Sequence, residues 1–120
     1  MVASLFQTPQ NVQRISNFFP TGTGIALSCS SSSSSIQLPT LPVGSSATDI
    51  MIVNNGANAA FIAFGQTAPT AVVPTSTAAN GICIPPGVVM VLSNSPLNTY
   101  VAGITASSTT TLYFYQGYGS

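Results

Sequence analysis

From Thr21 onward the apolar residues come in short β-branched and aromatic runs, and Gly, Pro, Asn or Ser interrupts each before it reaches helical length. Ile25-Ala26-Leu27-Ser28-Cys29 is the first. The clearest is Asp49-Ile50-Met51-Ile52-Val53-Asn54, which is apolar on both alternating faces, as a strand covered on both sides would be. Asn55-Gly56-Ala57-Asn58 then supplies turn chemistry, and Ala60-Phe61-Ile62-Ala63-Phe64 returns with large side chains before Gly65. The two runs read as an antiparallel hairpin, with a loop longer than the favoured two residues. Further runs are Gly81-Ile82-Cys83-Ile84, Val88-Val89-Met90-Val91-Leu92, Tyr100-Val101-Ala102-Gly103-Ile104 and Leu112-Tyr113-Phe114-Tyr115. Pro85-Pro86-Gly87 and Asn94-Ser95-Pro96 mark turns between them.

About seven or eight short strands at roughly 8–12-residue spacing, with no long helical pattern between them, predict an all-β antiparallel fold. The expected architecture is a sandwich or a jelly-roll or barrel-like domain. A chain of 120 residues is one domain's worth, able to bury roughly two-thirds of the surface its unfolded form exposes. The expected organisation is a single β-domain over 21–120, preceded by an arm or short helix over 1–20. Thr8 and Pro9 offer an N-cap and first helical position, and Val12, Ile15, Phe18 and Phe19 follow at near-helical spacing. An extended arm lying on a neighbouring subunit is the equal alternative. The serine run from Ser30 to Ser35 reads as a flexible loop, and 66–80 as a long surface loop with Val72 and Val73 to bury, in one short strand at most.

Composition decides which functions such a fold can carry. The only charged side chains are Arg14 and Asp49, and Lys, Glu, His and Trp are absent. An ordinary soluble domain of this length would carry about 30 charges. At 45% hydrophobic residues the chain has ample material for a core, so low charge here does not mean disorder. It means a surface with little to keep copies apart, as expected of an obligate oligomer or a subunit covered by neighbours.

The same scarcity leaves no ordinary route to catalysis. One acidic side chain cannot form a carboxylate pair, and neither Ser nor Cys has a His or Lys to activate it. Zinc wants about four ligands where the chain has three at most, and one carboxylate makes a poor calcium site. Arg14 alone cannot form the basic patch that nucleic acid needs. The expectation is no enzyme activity, no cofactor, no metal and no nucleic-acid partner. No apolar stretch approaches the roughly 18–20 residues of a spanning helix, and 1–20 lacks the charged-then-apolar order of a signal peptide, so no membrane partner is expected. Cys29 and Cys83 form no disulfide scaffold. A bridge between them stays open, beside the expectation of two reduced, half-buried thiols in a protein made in the cytosol.

Candidate interface residues follow from what is unusual. Phe6, Phe18 and Phe19 require a place to be buried, Arg14 is the one cation, and Tyr118 is the member of the aromatic tail expected to face a partner. Tyr113, Phe114 and Tyr115 are expected to divide between core and surface. Arg14 and Asp49 form the one possible side-chain ion pair, within a subunit or between two, with solvation of both as the alternative.

The order "DIMIVNNGANAAFIAFG", "GICIPPGVVMVL" and "NTYVAGITASSTTTLYFYQGYGS" resembles that of small virion proteins of tailed bacteriophages. There a V-N-x-G-x-x-x-A-F-V-x-F-G element precedes an I-P-x-G turn, a T-x-V-A-x-I strand and a terminal L-Y-x-x-x-G-x-G segment. Val53, Asn54, Gly56, Ala60, Phe61, Phe64 and Gly65 match the first element; Ile84, Pro85 and Gly87 match the turn. Thr99, Val101, Ala102 and Ile104 match the strand, and Leu112, Tyr113, Gly117 and Gly119 the end. The likeness covers about residues 48–120; the first 45 residues and the lack of charge depart from it. It implies a structural role, with a capsid decoration (cement) protein as the leading expectation. Such a protein would assemble with itself as a trimer or other symmetric cluster, bind the major capsid protein or other virion proteins, and reside in a virion assembled in the host cytoplasm. A tail, neck or fibre component or host-glycan-binding module is the alternative, and a self-assembling coat or filament protein the third.

Overall fold

The computed structural model describes residues 18–41, 48–77 and 81–118. Among these, nine strands form two antiparallel sheets and no helix occurs. In chain order they are β1 (Phe19–Pro20), β2 (Ile25–Cys29), β3 (Ser34–Gln37), β4 (Asp49–Asn54), β5 (Ala60–Gly65), β6 (Ile82–Ile84), β7 (Val89–Ser93), β8 (Tyr100–Thr105) and β9 (Thr110–Tyr118). Sheet I runs β2-β9-β4-β7, with β1 pairing the far end of β9 beside β2. Sheet II runs β3-β8-β5-β6. With β2 to β9 counted one to eight, the orders are 1-8-3-6 and 2-7-4-5, the strand order of a jelly roll. The expected antiparallel all-β fold is what the chain adopts.

The hairpin expectation is corrected. β4 and β5 do not pair as a hairpin: β4 lies between β9 and β7 in sheet I, and β5 between β8 and β6 in sheet II. The connection from Asn55 to Ala59 therefore crosses from one sheet to the other. Its turn residues are those of a hairpin, but its length leaves room for a crossing, and each strand pairs on both sides with other strands. Of the connections from β2 to β9, all but β5–β6 join strands of opposite sheets.

Inward-facing residues of both sheets make one core. Leu27, Ile50, Ile52, Leu112 and Phe114 come from sheet I, and Ala60, Ile62, Ile84 and Val101 from sheet II. The sheets approach closely at Gly103, where a β-carbon would stand 2.5 Å from Cys29 Sγ and 3.1 Å from Leu27 Cδ2. Any side chain at this point would push the layers apart.

One buried amide ties the layers together at one end. Asn54, 1% exposed, donates from Nδ2 to the carbonyl oxygens of Asn58 and Ile84, both at 2.9 Å. Its Oδ1 accepts from the Gly56 amide at 3.0 Å and the Thr110 hydroxyl at 2.8 Å. All four hydrogen-bonding positions of the side chain are used. They join β4 to its own crossing loop, to β6 in the opposite sheet and to β9 alongside. Asn58 extends the network by donating to Thr109 O at 2.9 Å. The Pro86–Gly87 turn, with Gly87 at a φ of 73° that suits the third position of a type II turn, hangs from the same residue through Gly87 N to Asn54 O at 3.0 Å.

The loops at this end are built from their own side chains. The serine run is not all loop: Ser34 and Ser35 belong to β3, and Ser30 Oγ and Ser32 N bond across the bend at 3.3 Å. Ser34 Oγ donates to Ser28 O at 3.1 Å, and Ser33 Oγ accepts from Ala71 N at 2.9 Å. Hydroxyls that cannot build a core here satisfy the backbone of a tight crossing. Residues 66–77 contain no strand, and Ala71, not the half-buried Val72 and Val73, is the buried residue, packed on Ala63 and Ala102. Small side chains on that face of sheet II let the segment lie close, so alanine fits where valine would not.

Replacing Asn54 by Ala strands two carbonyls, an amide and a hydroxyl in the interior. The expected loss is about 2–5 kcal/mol in urea unfolding, larger than the roughly 1–3 kcal/mol expected for Gly103→Ala.

Candidate interaction surface and end cleft

The two sheets present different outer faces. On sheet II, the 66–77 segment covers the centre: Ala71 packs with Ala63, Ala102 and Ile104, and Thr99 Oγ1 donates to Gln66 O at 3.1 Å. On sheet I, no described segment covers the equivalent surface beyond one corner. Cross-strand register sets Tyr113 beside Val53 and Val53 beside Val89, and in the next row Tyr115 beside Met51 and Met51 beside Val91. Alternation turns these side chains away from the core, because Ile50, Ile52, Leu112 and Phe114 between them fill it. Val89 is 45% exposed and Tyr115 37%. At the corner Phe18, Pro20, Met51 and Tyr115 frame an apolar hollow of about 290 Å³.

This surface continues into the aromatic edge that the sequence singled out. Phe18 is buried, its ring against Gly117. Phe19 and Tyr118 are register partners on β1 and β9, 55% and 49% exposed, with ring centroids 5.7 Å apart at 31°. Three of the five candidate interface residues are thus brought together at one end of β9. Phe6 and Arg14 lie outside the described residues, as does the helix-or-arm expectation for all but the last residues of 1–20; of those, Phe19 and Pro20 are strand. The aromatic tail divides as expected, with Phe114 in the core and Tyr115 and Tyr118 exposed. Sequence reasoning did not pick out Met51, Val53, Val89 and Val91 as surface. The signal was present in the run 49–54, whose apolar residues on both faces call for cover on both faces.

The sandwich ends also differ. Opposite the Asn54 end, the layers part into a cleft of about 350 Å³ between the β7–β8 loop and the residues after β3. Leu38, buried, forms part of its wall, with Gln37, Asp49, Asn98 and Gln116 around it. Asp49 is 7% exposed and has interactions of its own, whereas its suggested partner Arg14 lies outside the described residues. Asn98 Nδ2 donates to Asn94 Oδ1 at 3.1 Å, which fixes both amides across the loop.

The thiols are both free and neither is half-buried: Cys29 is enclosed in the core and Cys83 is exposed on β6. Burial pushes the Cys29 thiol up from 9.0 to about 11. No group of three or more His, Cys, Asp or Glu side chains that could hold a metal ion occurs among the described residues. No family model matches this chain, and no curated protein or solved structure matches it either.

Two outcomes test this description of the thiols. Iodoacetamide at neutral pH is expected to label Cys83 alone in the folded protein and both cysteines after unfolding. The folded chain keeps the Cys29 proton that the unfolded chain releases above its ordinary pKa. The resulting stability is therefore complete below pH 9 and falls as pH rises toward 11, with a slope approaching about 1.4 kcal/mol per pH unit. Cys29→Ala is expected to remove that component of the slope in unfolding measured across this range.

Proposed function

We propose that this protein is a structural subunit of a phage virion, a capsid decoration protein that stabilises the head by subunit–subunit contacts and performs no catalysis. It works as a homo-oligomer, a trimer or another closed cluster, seated on the major capsid protein. The observation that carries the reading is the apolar face of sheet I, which the described residues cover only at one corner, running into the exposed Phe19–Tyr118 edge, in a chain with only two charged side chains. Exposed apolar surface of this continuity marks a contact site. The likeness of residues 48–120 to small virion proteins supplies the setting, and jelly rolls recur among capsid domains.

The physics of such a role is burial of apolar area at about 25 cal/mol per Å², less the costs of association, multiplied over symmetric copies. With only two charged side chains in the chain, the contacts have little to lose to salt screening. Growth through free sheet edges, as in a filament, is the poorer reading. The edge strands β2, β3, β6 and β7 are five residues or shorter, and Pro85 and Pro86 follow β6 directly. A tail, neck or fibre position with glycan contact is the second reading, and the open polar cleft is the observation that favours it.

Purified virions are expected to carry the protein in many copies per particle; a handful per particle would contradict the decoration role. The double change Phe19→Ser with Tyr118→Ser is expected to weaken binding to particles lacking the protein by about 10-fold or more, while leaving the melting temperature of the isolated domain nearly unchanged. Wild-type binding is expected to vary little between low and physiological salt.

A further inference from the structure

We infer that β7 is a self-pairing edge: two copies join through it, antiparallel and about a two-fold axis, so that sheet I continues from one chain into the next. The inference rests on the homo-oligomer of the proposed function and names the contact that closes it.

The register of sheet I shows which backbone groups β7 leaves unused. β7 pairs with β4 alone. Asn54 N donates to Val88 O at 3.0 Å and Asn94 N to Thr48 O at 2.7 Å, one bond at each end of the strand. Residues turned toward the partner alternate in an antiparallel ladder, so Val88, Met90, Leu92 and Asn94 face β4. The N–H and C=O groups of Val89, Val91 and Ser93 therefore point away from the sheet, and they make no hydrogen bond within the described residues. Such a row is a template for another strand.

Nothing along β7 guards that row. The run Val89-Met90-Val91-Leu92-Ser93 holds neither a charge nor a proline, and Val89 is 45% exposed. The other edges are protected. β6 is three residues long and ends on Pro85 and Pro86. Around β2 and β3 the serine run stitches the edge, with Ser34 Oγ donating to Ser28 O at 3.1 Å and Thr105 N to Ser30 O at 2.8 Å. Burial also falls off at β7. Met90 and Leu92 face inward yet are only half-buried, and Ile82 on β6, joined to β7 by residues 85–88 alone, is 43% exposed.

A second copy is the occupant these residues suit. With the axis at Val91, each Val91 meets its counterpart, Val89 meets Ser93 and Met90 meets Leu92. This register puts all three outward-facing residues of each chain into hydrogen-bonded pairs, which exchange both of their bonds. Self-pairing sets any charge near the axis against its own copy, and β7 carries none to repel. The axis stands perpendicular to the sheet, so both outer faces point the same way and the Tyr113–Val53–Val89 row runs on into the second copy. The contact is isologous. It occupies β7 of both copies and closes, which separates it from the open growth of a filament.

Sedimentation equilibrium of the full chain, combined with residue-resolved hydrogen exchange, tests the inference. The expected mass is twice the 12.2 kDa of the chain at about 100 μM, falling toward the monomer on dilution. The amides of Val89, Val91 and Ser93 should exchange about 10-fold or more slowly in the dimer than in the diluted protein. Val91→Lys sets two ammonium groups against each other at the axis and should raise the dimer Kd about 10-fold or more. Should that variant fail to fold, Ser93→Pro replaces it, since it removes an outward N–H that β4 does not use. A monomer at every concentration would overturn the proposal, whether its β7 amides exchange freely or are protected by the chain's own residues. So would a dimer whose three amides exchange as fast as the monomer's, or one that the substitution leaves intact. No particle takes part in this measurement, so a monomer that still binds particles through Phe19 and Tyr118 would remove the β7 contact and leave the decoration role standing.

Discussion

The Asn54 amide is the point from which the geometry of this sandwich follows. It sits at the end of β4 with the opposite sheet, the crossing loop and the neighbouring strand all within hydrogen-bond reach. A buried amide left half-satisfied would destabilise the fold, whereas one fully satisfied specifies a single arrangement of its neighbours. Here it fixes where β4 stops, which direction the chain turns and how β6 and β9 align across the core. Gly103, with Cys29 and Leu27 pressed against it from the other layer, sets the spacing between sheets that lets those bonds form. The Pro86–Gly87 turn and the serine hydroxyls around residue 30 complete the same end.

With one end closed in this way, the remaining surface divides by chemistry. The 66–77 segment covers the small-residue centre of sheet II. Sheet I keeps its tyrosines, valines and Met51 outward, and the far end keeps its amides. In a chain of ordinary charge such features would be separated by lysines and glutamates; here only Arg14 and Asp49 are available, and Asp49 is itself buried. The proposed role follows from that division. An uncharged apolar face suits permanent contact with other subunits.

Much of the fold was legible in the chain because strands and turns are local. Every strong apolar run became a strand, and Pro85-Pro86-Gly87 turned as its residues require. Pairing was less legible. The crossing from Asn54 to Ala60 carries the same Asn-Gly signal as a hairpin, and what separates the two is the side chain of Asn54 bonding to Ile84, thirty positions along. The burial of Ala71 over its valine neighbours depended on Ala63 and Ala102 facing it from another element. Of the candidate site, the clustering of Phe18, Phe19 and Tyr118 came from residues already singled out, because exposed aromatics are rare enough to notice. The cleft was not legible, since scattered Gln and Asn residues acquire meaning only when four separate segments bring them together.

The central claim is that the apolar outer face of sheet I is where this protein meets its neighbours. A density map of the native assembly tests it most directly. The account predicts that Tyr115, Met51, Val89 and the Phe19–Tyr118 pair lie against another subunit, with many symmetry-related copies per particle. A map in which that face is open to solvent, and the copies join through the outer side of sheet II, would contradict it.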